Sequence, residues 1–211
     1  DNFDNDKLFY DLCIYEYPSL IECISKEPSQ KVDYYKAAMI SLNKREIDIP
    51  LILLKNLRIG LKLFQKCKFL TVLTIPETIT LIEDYAFTDC TSLRELKIPP
   101  SVSSIGKYAF KNCCCLNSVT IPSSVSSIRE GTFLNCSSLT KLIIPEAVTV
   151  IEKEAFKNCT SLSNIRIPPN VETMGESAFS CCGSLMKVEI CSQLQTIQSG
   201  TFQGCMSLSN I

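Results

Sequence analysis

Residues 98–121 read IPPSVSSIGKYAFKNCCCLNSVTI, and residues 121–144 repeat the pattern as IPSSVSSIREGTFLNCSSLTKLII. Both stretches hold Phe, Cys and Leu at the same places, and these residue types recur along the chain with a constant spacing of 23. The columns are Phe64, Phe87, Phe110, Phe133, Phe156, Phe179 and Phe202; Cys67, Cys90, Cys113, Cys136, Cys159, Cys182 and Cys205; and Leu70, Leu93, Leu116, Leu139, Leu162, Leu185 and Leu208. A fixed period of this length predicts units that stack into one solenoid.

Each unit contains a short predicted strand. In Leu96-Lys97-Ile98 the two apolar residues face the same side of an extended chain, and Lys97 faces the other. Pro99 follows, and we expect the strand to end there because proline cannot donate a ladder hydrogen bond. The return segment, residues 102–110, spaces its apolar residues three to five apart, which favours irregular or helical turns over a second long strand. Strands of successive units should pair in parallel and bury a shared core.

The outward positions of these strands form the candidate partner-binding site. They differ from unit to unit, whereas the core columns hardly change. Such a contrast is typical of a scaffold with a tailored binding face, and neutral drift at exposed positions predicts the same variation. The candidate residues are Val72, Thr74, Glu95, Lys97, Ser118, Thr120, Lys141, Ile143, Asn164, Arg166, Lys187 and Glu189.

The composition argues against catalysis and against nucleic-acid binding. The chain has 211 residues, 45% of them hydrophobic, and a net charge of −1, which gives no electrostatic footprint for nucleic acid. It contains no His, so Ser-His-Asp and Cys-His chemistry are excluded and paired carboxylates are the remaining option. The acidic clusters at residues 83–84 and 152–154 fall on the return segment, where solvated charge is expected. We therefore predict that the chain is not an enzyme.

Motifs for metals, cofactors and membranes are absent from the sequence. There is no C-x-x-C pair and no phosphate-binding glycine motif, so we expect neither a metal site nor a cofactor. No uninterrupted apolar run approaches the roughly 18 residues that a transmembrane helix needs, so we expect no membrane insertion.

The two quoted stretches share the unit I-P-x-S-V-x-x-I-x-x-x-A-F-x-x-C-x-S-L-x-x-V-x-I, which closely resembles the BspA-like, treponemal-type leucine-rich repeats of anaerobic bacteria and parasitic protists. The resemblance covers about residues 59 to 211 and departs from the unit at Cys191, where the proline is replaced, and in the degenerate first unit around Ile59. It implies an α/β repeat solenoid with a curved right-handed coil and a parallel sheet on the concave face. It also implies the family's association with cell surfaces, adhesion and protein binding.

The first 57 residues do not keep the period. Apolar residues at helical spacing predict short helices over about residues 6–15, 18–27, 33–42 and 50–57. We predict two domains, an all-helical N-terminal cap over residues 1–57, faintly similar to ankyrin-type helix pairs, and a repeat array over residues 58–211. Ile211 falls in the strand column, so we expect the protein to continue beyond it or to make an end-to-end contact there.

The thirteen cysteines bear on the compartment. Seven lie in the periodic column, where Cys is expected to act as a small buried hydrophobe, and an odd number cannot all pair among themselves. Asn135 and Asn158 each begin an N-x-[ST] glycosylation pattern, and we expect both to be unmodified. Free thiols suit a reducing compartment, so we favour the cytoplasm over the cell surface.

Three classes of function stay open. The chain is interpreted first as a protein–protein interaction module for a protein ligand, either an intracellular scaffold or a cell-surface adhesin or surface antigen that binds host or matrix ligands. The second class is a structural spacer of a larger multidomain protein. The third is an enzyme subunit whose chemistry lies on another segment.

Overall fold

A computed structural model describes residues 46–48, 58–68, 70–191, 194 and 196–210. These residues form coils that each contain one long and one short strand. The long strands are β1 (Glu46–Asp48), β3 (Val72–Thr74), β5 (Glu95–Lys97), β7 (Ser118–Thr120), β9 (Lys141–Ile143), β11 (Asn164–Ile167) and β13 (Lys187–Ile190). The short strands are β2 (Arg58–Ile59), β4 (Leu81–Ile82), β6 (Ser104–Ile105), β8 (Ser127–Ile128), β10 (Val150–Ile151) and β12 (Thr173–Met174).

Strands of neighbouring coils pair in parallel at the predicted period. Leu73 lies opposite Leu96 in the ladder between β3 and β5, and Val119 lies opposite Leu142 between β7 and β9. The short strands, which the sequence did not predict as strands, form a second set of parallel ladders in which Ile151 lies between Ile128 and Met174. The protein is therefore a parallel β-solenoid in which each residue stacks on its counterpart one unit away.

Both sets of ladders are interrupted at the same coil boundary. The long strands pair in the orders β1-β3-β5, β7-β9 and β11-β13, and the short strands in the orders β2-β4-β6 and β12-β10-β8. Across the boundary between the coils of β5 and β7, neither the long nor the short strands form a ladder. Turn hydrogen bonds remain there, for example from the Phe110 N–H to the Thr132 carbonyl at 2.9 Å.

The core is a stack of phenylalanine rings. The rings of Phe64 to Phe202 follow one another with centroid separations of 5.2 to 5.7 Å and lie nearly parallel. Six of the seven are fully buried, and the small residues Ala109 and Thr132 beside them are buried as well. Like residues stack on like, so each ring is covered by the rings of the coils on either side.

The described residues contain no helix, so the predicted α/β class is wrong for this part of the chain. The return segment forms a succession of turns, such as those closed by the Thr88 N–H to Tyr85 carbonyl and Cys90 N–H to Phe87 carbonyl bonds. Tyr85 and Asp89 have φ of 58° and 64°, in the left-handed region, and the same two positions are left-handed in every described coil. A right-handed helix cannot propagate through residues of that conformation, so each coil has turns there instead.

The predicted all-helical cap is wrong at residues 46–48. Glu46–Asp48 form strand β1, which pairs in parallel with β3 and so extends the sheet before residue 58. Glu46 lies opposite Val72, whereas the period would place its partner at residue 69, so the segment between β1 and β2 is longer than its counterparts. The four predicted helices lie outside the described residues, and the domain division at residue 58, the curvature and the right-handed sense remain predictions.

The periodic cysteines are more than small hydrophobic residues. The Cys113 thiol donates to the Phe87 carbonyl at 3.3 Å, and the Cys136 thiol donates to the Phe110 carbonyl at 3.2 Å. The same bond recurs from Cys90 to Cys205. A thiol at this position therefore satisfies a buried carbonyl of the preceding coil. The eleven described cysteines are all free.

A ladder of amide side chains runs along the return turns. The Asn135 amide donates from Nδ2 to Oδ1 of Asn112 at 2.6 Å, and Asn158 donates in the same way to Asn135 at 2.7 Å. Asn112 donates in turn to the Asp89 carboxylate at 2.6 Å. The two asparagines of the glycosylation patterns thus have their amide nitrogens engaged within the array.

Replacing Asn135 by Ala should lower the free energy of unfolding by about 2 kcal/mol, because two side-chain hydrogen bonds are lost and Ala is strained in the left-handed region. Asn135 has φ of 63°. Asn135→Gly is the matched control, since Gly avoids the strain and should cost only about 1 kcal/mol. Urea denaturation of both variants measures the difference, and equal costs would mean that backbone conformation contributes nothing there.

Candidate functional site

The twelve candidate residues lie at the outward positions of the long strands, and we call this surface the strand face. The burial pattern of β5, β7 and β9 is exposed, buried, exposed, which leaves only the central residue of each in the core. Eleven of the twelve candidates are exposed, and Val72 is half-buried. The strand alternation predicted from the sequence therefore places them as expected, although their role in binding is untested.

Pairing registers bring the candidates together in rows. Val72 lies beside Glu95 and Thr74 beside Lys97 in the ladder between β3 and β5. The remaining pairs are Ser118 with Lys141, Thr120 with Ile143, Asn164 with Lys187 and Arg166 with Glu189.

The charges near β11 and β13 neutralise one another. The Arg166 guanidinium contacts the Glu146 carboxylate at 2.6 Å and the Glu189 carboxylate at 3.9 Å. The hydrogen bond to Glu146 raises the pKa of Arg166 above its ordinary value. Lys187 also contacts Glu189, at 3.7 Å. This end of the strand face therefore presents little unpaired charge.

The charges on β5 and β9 are different. Among the described residues, Glu95, Lys97 and Lys141 form no ion pair, so their charges are available to a partner. Ile143, which follows Lys141 on β9, has 72% of its surface exposed and is the most exposed apolar residue of the face. It offers an apolar contact next to a free cation.

An open depression lies across β3, β5 and the start of β7. It has a volume of about 460 Å³ and is lined by the candidates Val72, Thr74, Glu95, Lys97 and Ser118. Leu73, Leu96 and Asn117 complete the lining. The depression spans the coil boundary where the ladders are interrupted.

Sequence reasoning missed two residues of this surface. Asn117 lines the depression but precedes β7 by one position, so the strand alternation did not include it. Glu146 lies just after the corner proline Pro145 and pairs with Arg166. An acidic residue 20 positions before a strand-face arginine, just past the end of the neighbouring strand, would have been the signal for it.

The acidic clusters of the return segment serve the fold. Glu83 accepts the Leu61 N–H at 2.6 Å and pairs with Arg58 at 2.9 Å. Asp84 accepts the Lys107 N–H at 2.8 Å, and Glu152 accepts a backbone N–H of the preceding coil at 3.0 Å. These carboxylates therefore join neighbouring coils.

No group of His, Cys, Asp or Glu side chains within the described ranges is arranged to hold a metal ion. The same part of the chain contains no helix that is long and apolar enough to cross a membrane.

Comparison with solved structures gives the same solenoid. A leucine-rich repeat protein from Bacteroides ovatus is 35% identical, with a TM-score of 0.64 over 65% of this chain and 38% of the other. A leucine-rich cell surface protein from Faecalibacterium prausnitzii is also 35% identical, with a TM-score of 0.60 over 65% of this chain and 37% of the other. The T. pallidum leucine-rich repeat protein is 25% identical, with a TM-score of 0.72 over 79% of both chains. No curated protein matches the sequence.

The chain thus spans little more than a third of the B. ovatus and F. prausnitzii proteins. At the level of sequence, residues 57–153 and 131–211 match the family described as "BspA type Leucine rich repeat region (6 copies)", and together they cover most of the chain. With its unit of 23 residues, its parallel ladders and its stacked Phe and Cys columns, the chain belongs to the BspA-type leucine-rich repeat family.

Proposed function

We propose that the protein is a non-catalytic interaction module that binds a protein partner through its strand face. The observation that carries the proposal is the unpaired charge and exposed apolar surface on the central strands. Lys97 and Lys141 form no ion pair among the described residues, and Ile143 is 72% exposed. Exposed apolar groups beside unpaired charges are features that binding surfaces use for affinity and orientation.

The rest of the molecular surface supports this choice. On the return turns, Lys107 pairs with Glu130 at 3.1 Å and Lys153 pairs with Glu176 at 3.0 Å. Tyr108 also donates its hydroxyl to Glu130 at 2.6 Å. These charges are satisfied between neighbouring coils, so these side chains have less to offer a partner.

A role as a cell-surface adhesin or surface antigen is the second candidate. It is favoured by the 35% identity to a cell surface protein of F. prausnitzii. Free thiols favour the cytoplasm instead. The same strand face would bind the ligand in either compartment.

The test compares two charge-reversal variants as baits in extracts of the source cells. Lys97→Glu with Lys141→Glu should abolish the capture of a protein that the wild-type chain enriches, because both charges on the strand face change sign. Lys107→Glu with Lys153→Glu carries the same change on the return turns and should leave that capture intact. Quantitative mass spectrometry measures the enrichment.

Thermal melts of both double variants establish that they remain folded, since exposed ion pairs contribute at most about 1 kcal/mol each. If both double variants capture the protein as well as the wild-type chain does, the strand face does not bind the partner.

A further inference from the structure

Within the described part of the chain, two oppositely charged side chains on β5 form no ion pair, whereas a similar two on β13 are in contact. Glu95 and Lys97 are two residues apart on β5 and form no ion pair among the described residues. On β13 the pair Lys187 and Glu189 is in contact at 3.7 Å, and Glu189 also reaches Arg166 at 3.9 Å. The same two charge types in the same spacing are therefore neutralised at one end of the strand face and available at the other.

The neighbours of Glu95 and Lys97 explain the difference. The ladder places Val72 beside Glu95 and Thr74 beside Lys97, and neither neighbour carries a charge. On the other side of β5, the first strand-face residue is the uncharged Ser118. No adjacent strand supplies a counter-ion.

The space above these residues is an open depression on the strand face. Glu95 and Lys97 both line the 460 Å³ depression, and Leu73 and Leu96 contribute to its floor between the polar side chains. The depression thus presents two opposite charges on either side of the buried Leu96.

We propose that this depression binds an extended peptide segment of the partner protein in which one basic and one acidic residue are separated by a single residue. Alternate side chains of an extended chain point the same way and are spaced about 6.5–7 Å apart, which is also the spacing of Glu95 and Lys97 along β5. A segment lying along the strand therefore sets its basic side chain against Glu95 and its acidic side chain against Lys97. Either order of the two charges fits, since the segment can run in either direction along β5.

This inference rests on the proposed function and names the ligand class of its site. Each exposed charge contact is weak alone, so the two contacts supply selectivity and orientation more than affinity.

The test is selection from a displayed library of random peptides against the wild-type chain and two variants. The wild type should enrich peptides with a basic and an acidic residue separated by one position. Glu95→Lys should instead enrich peptides with two acidic residues in that spacing and should bind the wild-type peptides about tenfold more weakly by fluorescence anisotropy. Glu172→Lys, the same change at an exposed position outside the strand face, should enrich the same peptides as the wild type.

The inference is overturned if the wild type enriches no peptide, if the enriched peptides lack the charge pair, or if Glu95→Lys binds them as well as the wild type. If the peptide selection fails but the Lys97→Glu, Lys141→Glu double variant still does not capture the partner protein, only the peptide inference is wrong and the proposed function stands. Retention of that protein by the double variant would count against the proposed function itself.

Discussion

Replacing Phe133 by Ala is expected to lower the free energy of unfolding by about 3–5 kcal/mol, because the ring leaves a cavity that the surrounding coils fill only in part. Phe133 is fully buried and lies 5.5 Å from the rings of both Phe110 and Phe156. Removal of this ring deprives two neighbours of their contact at once, so the coils on both sides should lose stability together. Urea denaturation followed by circular dichroism measures the loss.

Phe202→Ala is the matched control for this change. Phe202 is only partly buried and is stacked on Phe179 alone among the described residues, at 5.7 Å. We therefore expect less than half the cost of Phe133→Ala. A cost below about 1 kcal/mol for Phe133→Ala would contradict the burial of the ring stack.

Alkaline pH should unfold the array steeply. Burial raises the pKa of the thiols of Cys113 and Cys136 above the ordinary value, and it raises that of Cys159 to about 12. An unfolded thiol titrates near 8.5, so above that pH the unfolded chain loses protons that the folded chain keeps. The contribution of these neutral thiols to the free energy of unfolding is therefore fully present below about pH 8.5. It is lost as the pH rises toward the pKa values of the folded state.

Each such thiol lowers stability by about 1.4 kcal/mol per pH unit in this range, so these three together give a slope of about 4 kcal/mol per pH unit. Domains of ordinary stability have about 5–15 kcal/mol to lose, so unfolding is expected between about pH 10 and 12. Circular dichroism as a function of pH, combined with urea midpoints at each pH, measures the slope.

The variant Cys136→Ser distinguishes the effect of thiol ionisation on stability from that of other groups that titrate at alkaline pH. A serine hydroxyl can still donate to the Phe110 carbonyl but does not titrate in this range. The variant should reduce the slope by about 1.4 kcal/mol per pH unit relative to the wild type. An unchanged slope would show that the thiol of Cys136 ionises equally in the folded and unfolded states.

Most of the solenoid was predictable because the apolar residues of its core recur with a constant spacing in the sequence. The position of Leu96 between two charged residues defines a strand with one buried face, and the recurrence of that arrangement sets the parallel register. The BspA-type resemblance identified the family and the solenoid correctly for the same reason, since its columns are the residues that stack in the core.

The turns were less predictable, because their conformation depends on single residues that vary. One of the two left-handed positions holds Tyr85, Tyr108, Gly131, Glu154 and Ser177 in successive coils, and no residue type signals that conformation there. The other holds Asp89, Asn112, Asn135 and Asn158, residue types that adopt the left-handed conformation readily. Spacing alone therefore could not distinguish helical turns from a succession of tight turns. Strand β1 was missed because Ile47 lies outside the period of 23.

The candidate site was predictable only in its outline. Alternation along the strands identified which side chains face outward, but whether their charges pair depends on neighbours that are remote in sequence, such as Glu146 for Arg166. The depression lies where the ladders beside β5 are interrupted, and no pattern of residues in the sequence indicated that interruption.

The constant register has a consequence for how such a protein changes over generations. Because Leu73 lies opposite Leu96 and Val119 opposite Leu142, each coil presents to the next a surface that closely matches the one presented by its predecessor. Duplication or deletion of one whole unit by recombination would rejoin matching surfaces, so the array can lengthen or shorten in a single step. The strand face is what changes, because adding or removing a unit shifts the outward side chains on one side of the recombination point relative to those on the other.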